Sequence, residues 1–449
     1  MSDQKYTYWL KSGIYSGAQK AAVLLFGIGS VLVLTRSLTK PDMGVWNLFL
    51  AYTGLIEIVR QSLVKNAVIK YINSSHITEH SAIQSAALTM NVIITVLIGI
   101  LIAAFITPLS NVLQAPRLSH VMYLFLPGLL LLIPFSQFEW IQNANADFKG
   151  VFWSYLSRQG VSFTCIVVHL LVNHEVSLTA LIIYFNIGLA TGVLVSYLFA
   201  RKFLYFSFRT DKAWTARLWH FGKYVFGTNI SSSLFRNTDQ FIVSSVISTS
   251  AVALYSVCLR ISNLIDVPSQ VLGDILFPKS AKMMEDGNLG KVKFYYEKAV
   301  GSILAIAVPV SLVIFLFPKQ IIMIIAGKGY VEASALLQIT VLYGLFLPFI
   351  KQFGTIMDSI GRPRTNFVVM TTTAILNVGI CLLFTSKFGL VGTAYGMMVS
   401  YGICLIITQT ILYRTLQVSM FSVFQYMFRF YPDMLSVFQQ RFILKWKTR

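Results

Sequence analysis

Charge is scarce in this chain. Only 12% of its 449 residues are Asp, Glu, Lys or Arg, while 56% are hydrophobic. Soluble domains carry roughly 25% charged residues, so a water-soluble fold is excluded at the outset. Cysteine is also sparse. Cys165, Cys258, Cys381 and Cys404 are scattered without CxxC or other metal-ligand spacing, which excludes a disulfide framework or a zinc ribbon and leaves them as small packing residues. Histidine offers little more: His76 and His80 in "SHITEH" (75–80) fall in a polar turn. There is no P-loop, HExxH or GxSxG motif. A self-contained ATP-driven pump and the common hydrolases are therefore not expected, nor is any metal site, and the chain is read as a non-enzyme.

Long apolar runs fill the sequence instead. Segments such as "AAVLLFGIGSVLVL" (21–34), "MNVIITVLIGILIAAFI" (90–106) and "SILAIAVPVSLVIFLF" (302–317) lie in windows near the ~20 residues that carry a helix across a bilayer. Barrel strands would alternate over about ten residues, and these do not. The expected fold is an all-α polytopic membrane protein. Its twelve transmembrane helices are expected at 12–36, 42–69, 82–107, 118–143, 149–172, 177–200, 220–247, 250–278, 298–317, 333–356, 366–385 and 389–413. The N-terminus lacks a small-residue cleavage motif, so the first span is expected to be permanent.

The formal net charge of +19 raises the question of nucleic acid, but its distribution answers otherwise. Lysines and arginines crowd the termini and the loops after even-numbered spans, above all 200–219 and 279–298. Only Arg36, Lys40, Arg117, Lys319, Lys328 and Lys387 fall on the other side. This is the positive-inside pattern, which is expected to put both termini in the cytoplasm and makes membrane lipid, not nucleic acid, the expected partner.

The chain also repeats itself. Setting Gly13 on Gly222 brings Tyr15 onto Tyr224 and aligns 48–63 with 257–272, where Leu50, Leu55, Ile56, Gln61 and Leu63 meet identical residues and Glu57 meets Asp266. Parallel repeats are related by a pseudo-twofold axis along the membrane normal. The expected organisation is two six-helix bundles, at 1–208 with a basic linker and at 209–416, followed by a basic, aromatic tail at 417–449. The tail fits an interfacial amphipathic segment better than a thirteenth span.

Against this apolar background, polar residues recur every three or four positions on the first two helices of each half. The stripes are Ser12, Ser16, Gln19 and Lys20; Thr53, Glu57, Arg60 and Gln61; Asn229, Ser232, Ser233, Arg236, Asp239 and Gln240; and Arg260, Asn263, Asp266, Gln270 and Asp274. Ionisable groups at membrane depth normally face protein or water, so the stripes are expected to enclose a hydrated cavity. Glu57 with Arg60, and Arg236 with Asp239, equally suit i,i+3 structural clamps. Lys20, Arg158, Arg260 and Lys351 have no partner on their own helix. Fixed cations in a cavity favour an anionic cargo. Glu57, Asp239 and Asp266 are candidates to take up a proton or hold a driving cation. Glu139, beside Trp140, is a candidate gating acid, and prolines such as Pro127, Pro134, Pro268, Pro309 and Pro348 are expected to bend their helices.

The run 221–282 resembles the polysaccharide transporter branch of the multidrug/oligosaccharidyl-lipid/polysaccharide exporter superfamily. The resemblance lies in Phe221–Gly222 near the seventh span, Asp239 late in it, "ALYSV" (253–257) opening the eighth, "LFP" (276–278) closing it, and "SIGRPRTNF" (359–367) after the tenth. "GVWNLF" (44–49) takes the corresponding place in the first half, and Ala253 replaces a glycine common in the branch. The chain looks most like Wzx-type flippases of O-antigen and capsule assembly.

The resemblance implies a central cavity lined by helices one, two, seven and eight. It implies a cargo of oligosaccharide linked through pyrophosphate to a polyprenyl lipid, moved by alternating access from the cytoplasmic to the periplasmic leaflet. It further implies H+ or Na+ as coupling ion with no bound cofactor, a polysaccharide polymerase and chain-length regulator as partners, and Lys20, Arg60, Arg236 and Arg260 as substrate-binding residues. Three alternatives stand beside it. A cation-coupled multidrug exporter would want a carboxylate-dominated lumen, a lipid II flippase shares the fold, and a membrane polymerase or ligase would want a large reactive outer loop.

Overall fold

The computed structural model describes residues 2–205 and 211–447, with side chains described from 15 to 436 except at 16, 206–210, 224, 225, 271, 274, 275, 278 and 285. Among the described residues every regular element is helical. The chain divides into two compact units, Met1–Ser256 with Ile325–Gly327, and Val257–Ile324 with Lys328–Arg449.

The first unit holds α1 (Ser2–Ser37), α2 (Lys40–Ser74), α3 (His80–Val112), α4 (Pro116–Ala144), α5 (Phe148–Asn173), α6 (Leu178–Ala200), α7 (Lys212–Val246) and the start of α8 (Thr249–Ser262). Each of the first seven expected spans falls within one helix to within a residue. Local chemistry explains where they begin. Thr39 accepts the Asp42 amide at 3.3 Å at the head of α2, and Asp211 accepts the amides of Ala213 and Trp214 at 2.8 and 3.1 Å at the head of α7. Each cap satisfies amides that the first turn leaves without a partner. The core joins four helices: Leu63, Val64, Ala67, Val68 and Ile72 of α2, Ile83, Ala86, Ala87 and Met90 of α3, Trp140 and Ala144 of α4, and Trp214 and Leu218 of α7.

Two prolines interrupt α4 at Pro127 and Pro134. Each removes an amide from the helical ladder, and polar side chains of neighbouring helices dock on the carbonyls nearby. Arg60 donates to the Leu132 carbonyl at 2.9 Å, Asn91 to Ile133 at 3.0 Å, and Asn186 to Leu124 at 3.0 Å. Irregular backbone at membrane depth needs such partners, because lipid supplies none.

The second unit continues from Val257 through α9 (Val267–Glu285), α10 (Leu289–Leu316), α11 (Pro318–Ile325), α12 (Ser334–Gly344), α13 (Leu347–Ser359), α14 (Pro363–Leu416) and α15 (Met420–Lys447). The expected eighth span is broken by a 3₁₀ turn at Asn263–Asp266, just before Pro268. The expected tenth breaks at Leu345–Phe346, just before Pro348. The eleventh and twelfth run together as α14, but Gly389 (φ 60°, ψ −144°) turns the chain back on itself. Thr385 meets Thr393 at 2.9 Å, and a Cβ on Gly392 would lie 2.1 Å from the Phe384 carbonyl. The tail helix α15 leans on α10: the Ser419 amide donates to Glu297 at 2.8 Å, Gly301 accommodates Tyr426, and the Tyr431 hydroxyl donates to Ala305 at 2.6 Å. Its outer face presents Phe421, Phe424, Phe428 and Leu435.

Nine segments among the described residues are long and apolar enough to cross a membrane by themselves; α2 and α7, which carry polar stripes, are not among them. The four cysteines are free, and Cys258, Cys381 and Cys404 are buried.

Candidate functional site

The polar helices α2 and α7 lie side by side in the first unit and run antiparallel. Gly44 meets Thr249, Tyr52 stacks on Phe241 with ring centroids 4.9 Å apart, Asn229 donates to Ser62 Oγ at 2.9 Å, and Tyr71 packs edge-on to Trp214 at 5.3 Å. From Gly44 to Tyr71 the shared length is about 40 Å at 1.5 Å per residue. Two glycines permit the approach. A Cβ on Gly44 would sit 1.8 Å from the Thr249 carbonyl, and one on Gly222 would sit 1.9 Å from that of Leu63. Between lipids the hydrophobic effect does not draw helices together, so close backbone packing of this kind holds the pair.

The two polar faces frame a cleft of about 320 Å³, lined by Ile58, Gln61, Ser62, Lys65, Asn66, Asn229, Ser232 and Arg236. Two cations, three amides and two hydroxyls supply its polar groups, and no carboxylate is among the described lining residues. Guanidinium and ammonium groups replace water around phosphate oxygens, while amides and hydroxyls do the same for sugar hydroxyls. Arg236 is exposed and makes no ion pair among the described residues.

The remaining predicted residues divide between cleft wall and bundle interior. Gln61 and Ser232 join Arg236 on the wall. Arg60 requires a correction. Instead of facing the cleft it is completely buried, with Nε donating to Thr95 at 2.9 Å and one Nη to Asn91 at 2.6 Å and the Leu132 carbonyl at 2.9 Å. It clamps α2 to α3 and α4. Glu57 does not pair with Arg60 but with Arg158 of α5, at 2.6 Å. Arg158 also stacks over Phe135 and Phe185 at 5.1 and 5.6 Å, so this cation, which has no partner on its own helix, is held by α2 and by aromatic faces.

Asp239 is likewise buried, accepting the Gln240 amide at 2.8 Å, and forms no ion pair with Arg236. The two residues three apart on α7 point into different surroundings. In the second unit Asp266 binds Lys351 and accepts from Gln270 at 3.2 Å. Lys20 is half-buried on α1 and Arg260 half-buried in the last turn of α8. The side chains of Ser12, Ser16 and Asp274 lie outside the described residues.

The sequence reading missed Lys65 as a cleft residue. It follows Gln61 by one helical turn, which is the available signal, but its charge also fits the cytoplasmic end of the span. Its ammonium reaches Glu139 Oε1 of α4 at 2.7 Å, and the Glu139 carboxylate also accepts the Tyr155 hydroxyl at 3.1 Å. Glu139 is thus the buried counter-anion of a cleft cation.

Helices of this apolarity, with ionisable groups gathered inside a bundle, define a polytopic membrane protein. The fold resembles that of solved membrane transporters. An inward-facing multidrug resistance MATE family transporter aligns with a TM-score of 0.75 at 14% identity, over 86% of this chain and 92% of its own. The lipid II flippase MurJ in an inward closed conformation aligns with a TM-score of 0.74 at 14% identity, over 95% and 92%. A protein named as an O-antigen transporter in Shigella flexneri is 21% identical over 395 residues, 86% of this chain and 93% of that protein. The chain belongs to the polysaccharide biosynthesis protein family, whose sequence model matches residues 33–335.

Proposed function

We propose that this protein is a flippase for polyprenyl-pyrophosphate-linked oligosaccharide, carrying the head group from the cytoplasmic to the periplasmic leaflet of a bacterial inner membrane. The observation that carries this reading is the α2–α7 cleft, where Lys65 and Arg236 stand among amides and hydroxyls with no acid among the described lining residues. Such a lining matches a pyrophosphate followed by sugars better than the cationic drugs of a multidrug exporter. The tail of the lipid remains in the bilayer while the head group occupies the cleft. Two six-helix halves, at 1–208 and 209–416, rock against one another in this scheme, and both termini stay cytoplasmic.

Binding must differ between the inward and outward states for a gradient of H+ or Na+ to drive the cycle. Glu57, Asp239 and Asp266 remain the proposed coupling acids, with Lys20 and Arg260 as further head-group ligands. A polymerase and a chain-length regulator are the proposed downstream partners.

The test is complementation of a strain lacking its own flippase, with surface polysaccharide as readout and membrane insertion as control. Arg236→Ala is expected to abolish surface polymer at normal membrane abundance. Wild-type polymer in that variant removes Arg236 from the mechanism.

A further inference from the structure

Lys65 belongs to two structures at once. Its side chain is about one quarter exposed and lines the cleft, while its ammonium lies 2.7 Å from Glu139, whose side chain is 4% exposed. Glu139 in turn accepts from Tyr155 at 3.1 Å, and Asn143 Nδ2 lies 3.4 Å from the oxygen that binds Lys65. The carboxylate is therefore fixed from behind, and Lys65 is the one of its three partners that can turn toward the cleft.

Resting on the flippase reading, we propose that Lys65 is a head-group ligand whose ammonium is exchanged between Glu139 and the cargo's phosphoryl oxygens, with Glu139 acting as the competing anion that keeps binding weak enough for release. In the empty cleft Glu139 neutralises a cation that would otherwise stand uncompensated beside Arg236. When a pyrophosphate enters, Nζ leaves Oε1 and joins Arg236 in holding the anion. The Tyr155 hydroxyl and the Asn143 amide continue to solvate Glu139 after Lys65 departs. Transport demands binding that is favourable on entry yet loose on exit, and a built-in rival for one cation supplies that balance.

This reading predicts effects of opposite sign from the two ends of one ion pair. A purely structural salt bridge gives the same sign at both, because removing either partner leaves the other buried and unpaired. The experiment measures binding of geranylgeranyl pyrophosphate to the full-length protein in nanodiscs. Lys65→Ala is expected to weaken binding by about tenfold, the loss of roughly 1.4 kcal/mol. Glu139→Gln is expected to tighten it several-fold, and the double variant to behave like Lys65→Ala. Tyr155→Phe provides an independent handle should Glu139→Gln fold poorly: with less support from behind, Glu139 holds Lys65 harder and the probe binds less tightly.

Binding weakened by Arg236→Ala but unchanged or weakened by Glu139→Gln would overturn the exchange alone. So would unchanged or tighter binding in Tyr155→Phe. Indifference to both Arg236→Ala and Lys65→Ala would overturn the cleft reading itself, and the exchange with it.

Discussion

Replacing Gly222 with alanine tests whether the cleft owes its shape to backbone contact between α2 and α7. The added Cβ would lie 1.9 Å from the Leu63 carbonyl oxygen and 2.7 Å from its carbon. A carbon–oxygen contact needs about 3.2 Å, so the helices must part by about 1.3 Å at this point. A radial gap of even 0.5–1 Å forfeits a quarter to a half of each contact's attraction, and forced overpacking typically costs about 1–3 kcal/mol. Alanine also gains about 1 kcal/mol in a helix interior, which leaves a net loss of up to about 2 kcal/mol.

Gly54 supplies the control. It lies on α2, with nothing within 4 Å of its would-be Cβ, so Gly54→Ala retains the helix gain without the clash. Thermal unfolding of the full chain in detergent, followed by size exclusion, is expected to give a lower midpoint for Gly222→Ala and an equal or higher one for Gly54→Ala. The Gly222 variant should also bind geranylgeranyl pyrophosphate poorly, because parting the helices pulls Asn229 from Ser62. Equal or greater stability in Gly222→Ala, with the same sign as Gly54→Ala, refutes the claim that close approach holds the pair.

Other positions give separate tests. Arg60→Met keeps bulk but leaves the buried Asn91 Oδ1 without its 2.6 Å donor, so stability should fall by about 1–3 kcal/mol while pyrophosphate affinity in the folded fraction stays unchanged; a selective loss of affinity would return Arg60 to the cleft. Gly389→Ala forces a side chain onto a backbone that only glycine adopts readily, an expected penalty of about 1–3 kcal/mol, visible as reduced folded yield. Tyr431→Phe removes the 2.6 Å bond from α15 to Ala305 and should lower the unfolding midpoint by the equivalent of about 1 kcal/mol. An unchanged midpoint would show that the Tyr431 bond contributes nothing to holding α15.

The helical class was legible because apolar length and helical spacing are local properties. Runs of about 20 apolar residues announce spans whatever surrounds them, and Pro268 and Pro348 marked real breaks because a missing amide acts on the chain's own backbone. The polar stripe of α2 was equally visible, yet it did not reveal that Gln61 and Arg60 go separate ways. Adjacent helical residues diverge by 100° in direction, so one turns toward α7 and the cleft while the other enters the junction of α3 and α4.

Sequence alone determined that the chain is a bundle of membrane helices, where they bend, and that charge had to be sheltered inside them. Only the tertiary structure decided which charges meet. Glu57 chose Arg158, 101 positions away, over Arg60, three away, and Lys65 found Glu139 across 74 positions. A helix fixes the direction of each side chain, but the group waiting there belongs to another helix, and in an apolar medium that group decides whether a charge is a clamp or a ligand.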